Sequence, residues 1–311
     1  MLGPGPRGVE IATTPVRRRV IIDTDAKNEA DDQYAIVHAL LSSSLDVRGI
    51  VPAHFGTERS TASRAESRAE VDLLLRLMGL TDQVVVADGA AAAIPGEFTP
   101  APSPGAELIV AESKLAAPGD PLFVAFLGPL TDMASAILAD PGIVSRPVVV
   151  VWIGGMGYDV DWSYPAAEFN LRNDIAAANV VFDSGITLWQ VPAPVYSLVS
   201  VGYAELEERI GGTSQVADYL IDQLVEWNAT HHPEPIEHRS LGDSPAISLI
   251  LNPRGGVFKT VPGPRFSQEG GYLPGSGHPV RVCQSVDVRY LLEDMFAKIR
   301  RFGRDSAQRT A

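Results

Sequence analysis

The chain has 311 residues, of which 45% are hydrophobic and 20% are charged, as in an ordinary globular protein. Acidic residues outnumber basic residues by 38 to 25, and the net charge of −13 argues against sequence-independent binding to nucleic acid. Cys283 is the only cysteine, which excludes an intramolecular disulfide and a multi-cysteine zinc site and suits the reducing cytoplasm, where we expect the protein. No apolar run approaches the ~20 residues of a membrane span, so we expect no membrane partner.

Apolar runs and helical patterns alternate along most of the chain. Short runs rich in valine, isoleucine and leucine predict buried strands over residues 20–22, 45–53, 84–86, 122–127, 147–153, 186–191 and 280–288. Amphipathic periodicity predicts helices over residues 31–41, 59–80, 106–115, 131–138, 174–184, 203–208, 215–227, 244–251 and 289–301. This alternation indicates an α/β fold with a single open, mainly parallel sheet and helices on both faces.

The domain organisation follows from the ends of this pattern. Residues 1–18 lack a strand or helix pattern and are predicted to form a flexible N-terminal arm. Residues 19–300 form one predicted domain, because no linker within them is long enough to divide it. Residues 301–311 are predicted to form a polar tail, and the glycines and proline of residues 272–277 predict a loop.

Four acidic residues cluster where the first predicted strand ends and the first helix begins. They are Asp23, Asp25, Asp31 and Asp32. In an open α/β sheet, ligands bind beyond the carboxyl ends of the strands, so this cluster lies where a site is expected. Four carboxylates repel one another unless a positive charge is present, and a hard divalent cation with oxygen ligands supplies that charge. The pattern therefore indicates a functional cation site rather than a capped helix with solvated acids.

This acidic segment and five later segments resemble one known family. In chain order they are VIIDTDAKNEADDQYAI from Val20, LGPLTDMA from Leu127, IGGM from Ile153, AEFN from Ala167, GDSPAI from Gly242 and VDVRYLLEDMF from Val286. Their order is similar to that of the inosine–uridine preferring nucleoside hydrolase superfamily. The resemblance implies a nucleoside-hydrolase-like α/β fold and hydrolysis of the N-glycosidic bond of a ribonucleoside or related riboside. It further implies a bound Ca²⁺ and a homodimer or homotetramer.

The resemblance also implies roles for individual residues. Asp25 would be the general base toward the attacking water and a metal ligand. The other implied ligands are the carboxylates of Asp32 and Asp243 and the backbone oxygen of Leu127. The implied substrate contacts are Asp31, near the ribose hydroxyls, Glu168 and Asn170, which would hold the ribose, and Asp23, which would support the site. Such carboxylates would stabilise the positive charge that develops on the sugar during N-glycosidic cleavage.

The chain departs from the family pattern at several positions. Five residues separate Asp25 from Asp31 where the usual motif has three, and Asn28 and Glu29 lie in this longer segment. Gly242 stands where some members have a histidine that helps to protonate the leaving base. His54, in the segment after the second strand, and Trp162 stand near positions where the family has sugar-contacting asparagines. We predict that both contact the substrate, although Trp162 is equally consistent with a packed side chain.

Two alternatives remain open at this point. A haloacid-dehalogenase-like phosphohydrolase also begins with a strand and Asp-x-Asp, and would use Asp23 as nucleophile with Mg²⁺. This alternative leaves the AEFN and GPLTDMA segments unexplained. The departures at Gly242 and in the first motif also permit a non-catalytic riboside-binding protein. Release of phosphate, release of reducing sugar, or binding without cleavage distinguishes the three.

Overall fold

The computed structural model describes residues 17–158 and 167–310. Its main element is a seven-stranded sheet. The strands are β1 (Arg18–Thr24), β2 (Leu45–Pro52), β3 (Leu122–Phe126), β4 (Val148–Ile153), β5 (Thr187–Val191), β6 (Ser200–Gly202), β7 (His238–Ser240), β8 (Gly256–Phe266) and β9 (Tyr272–Val286). The helices are α1 (Asp32–Leu40), α2 (Ser63–Leu77), α3 (Pro104–Ser113), α4 (Thr131–Ala139), α5 (Phe169–Asn173), α6 (Ile175–Asp183), α7 (Ala193–Tyr196), α8 (Tyr203–Ile210), α9 (Gln215–His231), α10 (Ser244–Leu251) and α11 (Val288–Thr310).

The strand order of the main sheet is β2-β1-β3-β4-β5-β9-β8. Every neighbouring pair is parallel except β9 and β8, which form an antiparallel hairpin at one edge. A separate small sheet pairs β6 with β7 in antiparallel orientation. The predicted fold class, an open and mainly parallel sheet, is confirmed.

Apolar residues are packed on both faces of the sheet. One core contains the buried apolar residues of α1, α9, α10 and α11, and the other contains those of α3, α4 and α6. The central strands are buried on both faces, which explains their nearly continuous apolar sequences. Because helices cover both faces of the sheet, a pocket lined by the central strands can form only at the ends of those strands.

The strand order changes direction around β1. The chain passes from β1 to β2 on one side, and β3 returns to the other side of β1. A crevice forms at the carboxyl ends of strands at such a switch point, and this is where α/β proteins bind ligands. The residues that follow β1 and β3 are Asp25 and Leu127, so the topology brings two predicted site residues to one crevice.

Two predicted elements at the edges of the sheet differ from the structure. Residues 84–86 form no strand, only a single bridge from Val86 to Ile50, and Val85 is 56% exposed at the sheet edge. Residues 272–277, predicted to be a loop, belong to β9, where Pro274 pairs with Pro264 of β8, a strand that the sequence did not predict. Proline and glycine are compatible with extended backbone in an edge hairpin, so their presence did not mark a loop here.

The C-terminal segment also differs from the prediction. Residues 301–310 continue α11 instead of leaving it as a polar tail. Gly303 fits against the Thr213 carbonyl, where a Cβ would lie 2.1 Å from the oxygen, so glycine allows the helix to approach this loop. Most of the predicted N-terminal arm, residues 1–16, lies outside the described part of the chain. Among the described residues, no helix combines the length and apolar character needed to cross a membrane.

Candidate active site

A pocket lies at the carboxyl ends of β1, β3 and β4. Seven of the ten predicted site residues line it: Asp25, Asp31, Asp32, Leu127, Glu168, Asn170 and Asp243. Further lining residues are Asn28, Glu29, Ile153, Phe169, Tyr196 and Gly242. Residues that are up to 218 positions apart in the sequence therefore share one cavity, from Asp25 to Asp243.

Strand and helix ends hold the acidic side chains in this pocket. Asp25 directly follows β1, while Asp31 and Asp32 begin α1 and Asp243 is the N-cap of α10. Carboxylates at helix N-termini interact favourably with the helix dipole, which partly offsets their burial. Gly128 follows β3 and passes against Asp25, where a Cβ would lie 2.9 Å from the carboxylate carbon, so glycine is required for this approach.

The four aspartates of the pocket are crowded and buried. Oxygens of Asp31, Asp32 and Asp243 lie within 4.8 Å of one another, and Asp25 Oδ2 is buried without a hydrogen-bond partner. Burial, reinforced by neighbouring carboxylates, raises the pKa of Asp31 to about 7. Burial also raises the pKa of Asp32 to about 6, against the hydrogen bond from Thr24, and raises the pKa values of Asp25 and Asp243. A cation that approaches these oxygens would stabilise their ionised forms.

Asp23 lies beneath the pocket and does not line it. The side chain is fully buried, and burial together with the neighbouring Asp132 and Asp25 raises its pKa. Neither oxygen of Asp23 accepts a hydrogen bond from a donor group. The supporting role of Asp23 stays a prediction.

Glu168 and Asn170 line the same pocket as the acidic cluster. Glu168 caps α5 and accepts hydrogen bonds from the backbone amides of Gly155 (2.8 Å), Leu171 (3.0 Å) and Asn170 (3.1 Å), and from the Tyr196 hydroxyl (3.0 Å). Burial raises the pKa of Glu168, while these four hydrogen bonds oppose the shift by stabilising the carboxylate. The side chain is thus held in one orientation.

The Asn170 amide ties two strand ends together. Its nitrogen donates to the backbone oxygens of Leu127 (2.7 Å) and Ile153 (2.9 Å), the residues at the ends of β3 and β4. The Leu127 oxygen, predicted to be a metal ligand, retains its second lone pair for another partner. The amide therefore fixes the floor of the pocket.

His54, another predicted substrate contact, does not line the pocket. His54 is buried and its Nε2 lies 2.8 Å from Thr131 Oγ1, away from the lining residues. Burial lowers the pKa of His54 to about 4, so the ring is neutral at physiological pH. Trp162 falls within residues 159–166, outside the described part of the chain.

Several lining residues are outside the predicted set of site residues, and the segment between Asp25 and Asp31 supplies two of them, Asn28 and Glu29. Glu29 forms ion pairs with Arg239 of β7 and Arg59, which holds the longer segment against the mouth of the pocket. In the sequence, the only indication that this segment reaches the pocket was its length, which exceeds the usual spacing by two residues. Tyr196 was missed altogether, although its position after the carboxyl end of β5 is where a site residue is expected.

The comparisons with known proteins agree with this geometry. A model of the inosine-uridine preferring nucleoside hydrolase family matches residues 20–293. A protein of Oryza sativa subsp. japonica named "Probable uridine nucleosidase 2" is 27% identical over 270 residues, covering 79% of this chain and 77% of its own. The pyrimidine-specific ribonucleoside hydrolase of Citrobacter koseri is 26% identical over 264 residues, with coverage of 78% and 81%.

Solved structures share the fold over nearly the whole chain. A plant nucleoside hydrolase superposes with a TM-score of 0.73 at 21% identity, covering 92% of this chain and 99% of its own. The purine-preferring ribonucleoside hydrolase of Gardnerella vaginalis superposes with a TM-score of 0.76 at 17% identity and the same coverage. The family match favours the nucleoside hydrolase hypothesis over the phosphohydrolase alternative. The chain therefore belongs to the inosine-uridine preferring nucleoside hydrolase family and is an enzyme that hydrolyses the N-glycosidic bond of ribonucleosides.

Proposed function

We propose that this enzyme is a calcium-dependent hydrolase that releases the base and ribose from a small ribonucleoside or related riboside. The observation that carries the proposal is the convergence of Asp25, Asp31, Asp32 and Asp243 on one pocket that Glu168 and Asn170 also line. The names of two relatives, a uridine nucleosidase and a pyrimidine-specific hydrolase, support uridine as the first substrate to test. A cytoplasmic homodimer or homotetramer stays our prediction.

The donor atoms of the pocket fit Ca²⁺. Asp25, Asp32, Asp243 and the Leu127 backbone oxygen would hold the ion, and the proximity of Asp31 to Asp32 and Asp243 supports a further contact. All of these donors are oxygens, which Ca²⁺ prefers in flexible, many-ligand geometry. The unpartnered Asp25 Oδ2 is a buried acceptor that needs a positive partner. When bound, the ion would lower the pKa of the attacking water and orient sugar hydroxyls.

Asp25 is the proposed general base. Its carboxylate follows β1 at the floor of the pocket, and an oxygen without a hydrogen-bond partner is free to accept a proton from the attacking water. Burial raises its pKa, which makes the carboxylate a stronger base once it is ionised. This role places proton removal on the side of the pocket where the acidic cluster lies.

Glu168 and Asn170 are proposed to bind the sugar. Cleavage of the glycosidic bond passes through an oxocarbenium-like state with positive charge on the ring, and a fixed carboxylate stabilises that charge. Four hydrogen bonds hold Glu168 in place before substrate arrives, so little reorganisation is needed during the reaction. Asp31 is proposed to contact the ribose hydroxyls from the other side, with Asp23 as buried support.

A panel of ribosides tests the proposal. We expect reducing sugar and free base from uridine or another ribonucleoside, loss of turnover in chelator, and recovery with Ca²⁺ in preference to Mg²⁺. The Asp25→Ala and Asp243→Ala variants should fold but lose both ribose release and Ca²⁺ binding. Full turnover in either variant would refute the site assignment. Tight riboside binding without cleavage over hours would indicate a binding protein, and phosphate release from a phosphomonoester would indicate the other hydrolase class.

A further inference from the structure

Tyr196 and Gly242 both line the pocket, and the tyrosine ring packs against the glycine. A Cβ built at Gly242 would lie 2.9 Å from Tyr196 Cδ2 and 3.2 Å from Asp31 Oδ2. The tyrosine ring therefore fills the space into which any side chain at position 242 would project. A contact of 2.9 Å requires the ring to move, and the partly buried ring is held by its own hydrogen bond.

The Tyr196 hydroxyl reaches the proposed sugar-binding carboxylate. It donates to Glu168 Oε1 at 3.0 Å, and the other described donors to Glu168 are all backbone amides. Backbone amides of α5 and of the turn after β4 are fixed by the fold, so Tyr196 is the side chain through which another element acts on Glu168. Hydrogen bonds to charged groups are among the stronger ones in proteins.

The position of Tyr196 is itself fixed from two sides. Tyr196 ends α7, the short helix after β5, and its backbone oxygen accepts a hydrogen bond from Ser240 Oγ at 2.9 Å. Ser240 lies at the end of β7, two residues before Gly242. Burial and the adjacent Glu168 raise the pKa of Tyr196, so the phenol stays protonated and remains a donor.

We propose that Tyr196 is a positioning residue of this enzyme, which holds Glu168 toward the sugar and occupies the room that Gly242 leaves open. This inference rests on the proposed function, because it assigns a residue that acts on the sugar through Glu168. It differs from the role of a leaving-group acid, because the hydroxyl hydrogen is directed to the carboxylate and not toward the open pocket.

A double-mutant cycle tests the inference. We expect Tyr196→Phe, which keeps the ring and removes the hydroxyl, to lower kcat/KM for the best ribonucleoside by about 10- to 100-fold. In the Glu168→Gln background the same change should cost almost nothing, since the hydroxyl acts through the carboxylate. Tyr219→Phe is the matched control, because Tyr219 donates to Glu70 and neither residue lines the pocket. This control should leave kcat/KM unchanged.

The leaving group supplies a second readout. A p-nitrophenyl riboside departs without protonation of the leaving group, so a positioning role predicts the same loss for this substrate as for the ribonucleoside. A loss confined to the ribonucleoside would make Tyr196 an acid and overturn the inference. Independent effects of Tyr196→Phe and Glu168→Gln, or no effect of Tyr196→Phe, would overturn it as well.

The two proposals fail in distinguishable ways. If the wild-type enzyme cleaves no riboside, the proposed function fails, whereas turnover that is insensitive to Tyr196→Phe refutes only the positioning role. Thermal unfolding of all variants separates loss of folding from loss of rate. If Glu168→Gln does not fold, Glu168→Asp replaces it, because the shorter carboxylate is expected to move away from the Tyr196 hydroxyl while it still caps α5.

Discussion

Two groups of buried acids in this enzyme differ in the partners that surround them. In the pocket, Asp25, Asp31 and Asp243 face other carboxylates, and Asp25 Oδ2 has no partner. Outside the pocket, Asp174 accepts hydrogen bonds from the backbone amides of Ile94 and Ala177 and from the Thr131 hydroxyl. Burial raises the pKa values in both groups, but the donors around Asp174 oppose it.

The number of hydrogen-bond donors around a buried carboxylate distinguishes a binding site from a structural contact. A carboxylate saturated with donors holds loops and helix ends together, because its lone pairs are already used. A carboxylate in a pocket that lacks donors has unpaired oxygen atoms, which a bound ligand or ion can contact. Buried acidity alone therefore does not mark a site. Missing donors mark one only where the carboxylate also lines a pocket, as at Asp25 and not at Asp23.

The largest effect is expected from Asp25→Asn. Loss of the general base should lower kcat by about 10²- to 10⁴-fold, while the free energy of unfolding should not fall, because one of four crowded like charges is removed. Steady-state kinetics and urea unfolding measure the two quantities. A variant that unfolds more easily but turns over normally would place Asp25 with the structural acids.

Asp174→Ala is expected to show the reverse pattern. The change removes the cap of α6 and leaves the Ile94 amide and the Thr131 hydroxyl without a partner, so the free energy of unfolding should fall by about 2–4 kcal/mol. Turnover per folded molecule should persist. Asp174→Asn keeps an acceptor oxygen and should lose less, and an equal loss in both variants would contradict the hydrogen-bond explanation.

The pH dependence of stability provides a smaller contrast. The folded-state pKa of Asp31, about 7, lies above the ordinary value of 3.8, so the folded chain binds this proton more tightly than the unfolded chain. Stability from this group is therefore present at low pH and is lost as the pH rises toward 7. In chelator, wild type should lose at least about 1 kcal/mol relative to Asp31→Asn between pH 5 and 8.

Calcium is expected to change that pH response. Binding favours the ionised carboxylates, so saturating Ca²⁺ should reduce the loss of wild-type stability at pH 8. Thermal unfolding at both pH values, with chelator and with Ca²⁺, measures the effect. If wild type instead gains stability over Asp31→Asn as the pH rises in chelator, the pKa of Asp31 is not raised in the folded chain.

The smallest effect is expected from Thr131→Val. The hydroxyl joins Asp174 to His54, and its loss should lower the free energy of unfolding by about 1 kcal/mol without changing turnover. Urea unfolding and the riboside assay measure the two quantities. Loss of turnover by about tenfold, equivalent to about 1.4 kcal/mol, would connect this group to the active site after all.

The sequence was sufficient for the parallel strands of the sheet and for most of the pocket. β1, β3 and β4 are buried on both faces, and their carboxyl ends carry Asp25 and Leu127 into the same crevice. Topology then determines the neighbours, since the strands are parallel and adjacent. The acidic cluster could be predicted because its members lie near strand and helix ends.

Contacts between distant segments could not be predicted. Tyr196 meets Glu168 and Gly242 across 28 and 46 residues, and no local pattern encodes the fit between a ring and a glycine. The β8–β9 hairpin was missed because its prolines and glycines resemble loop residues, while its pairing depends on the whole sheet edge. His54 was assigned from its neighbours in the sequence, although its ring is turned toward Thr131.

The proposed sugar-binding role of Asn170 has a consequence for which sugars the pocket accepts. Both hydrogens of its side-chain amide are committed to the Leu127 and Ile153 carbonyls, so the amide oxygen is the only atom of the group that remains for a ligand. That oxygen can accept a hydrogen bond, and a free sugar hydroxyl can donate one. Replacing the hydroxyl that faces Asn170 with fluorine or a methoxy group would remove the donor and bring two electron-rich atoms together. Inhibitors should therefore retain the hydroxyl that faces Asn170.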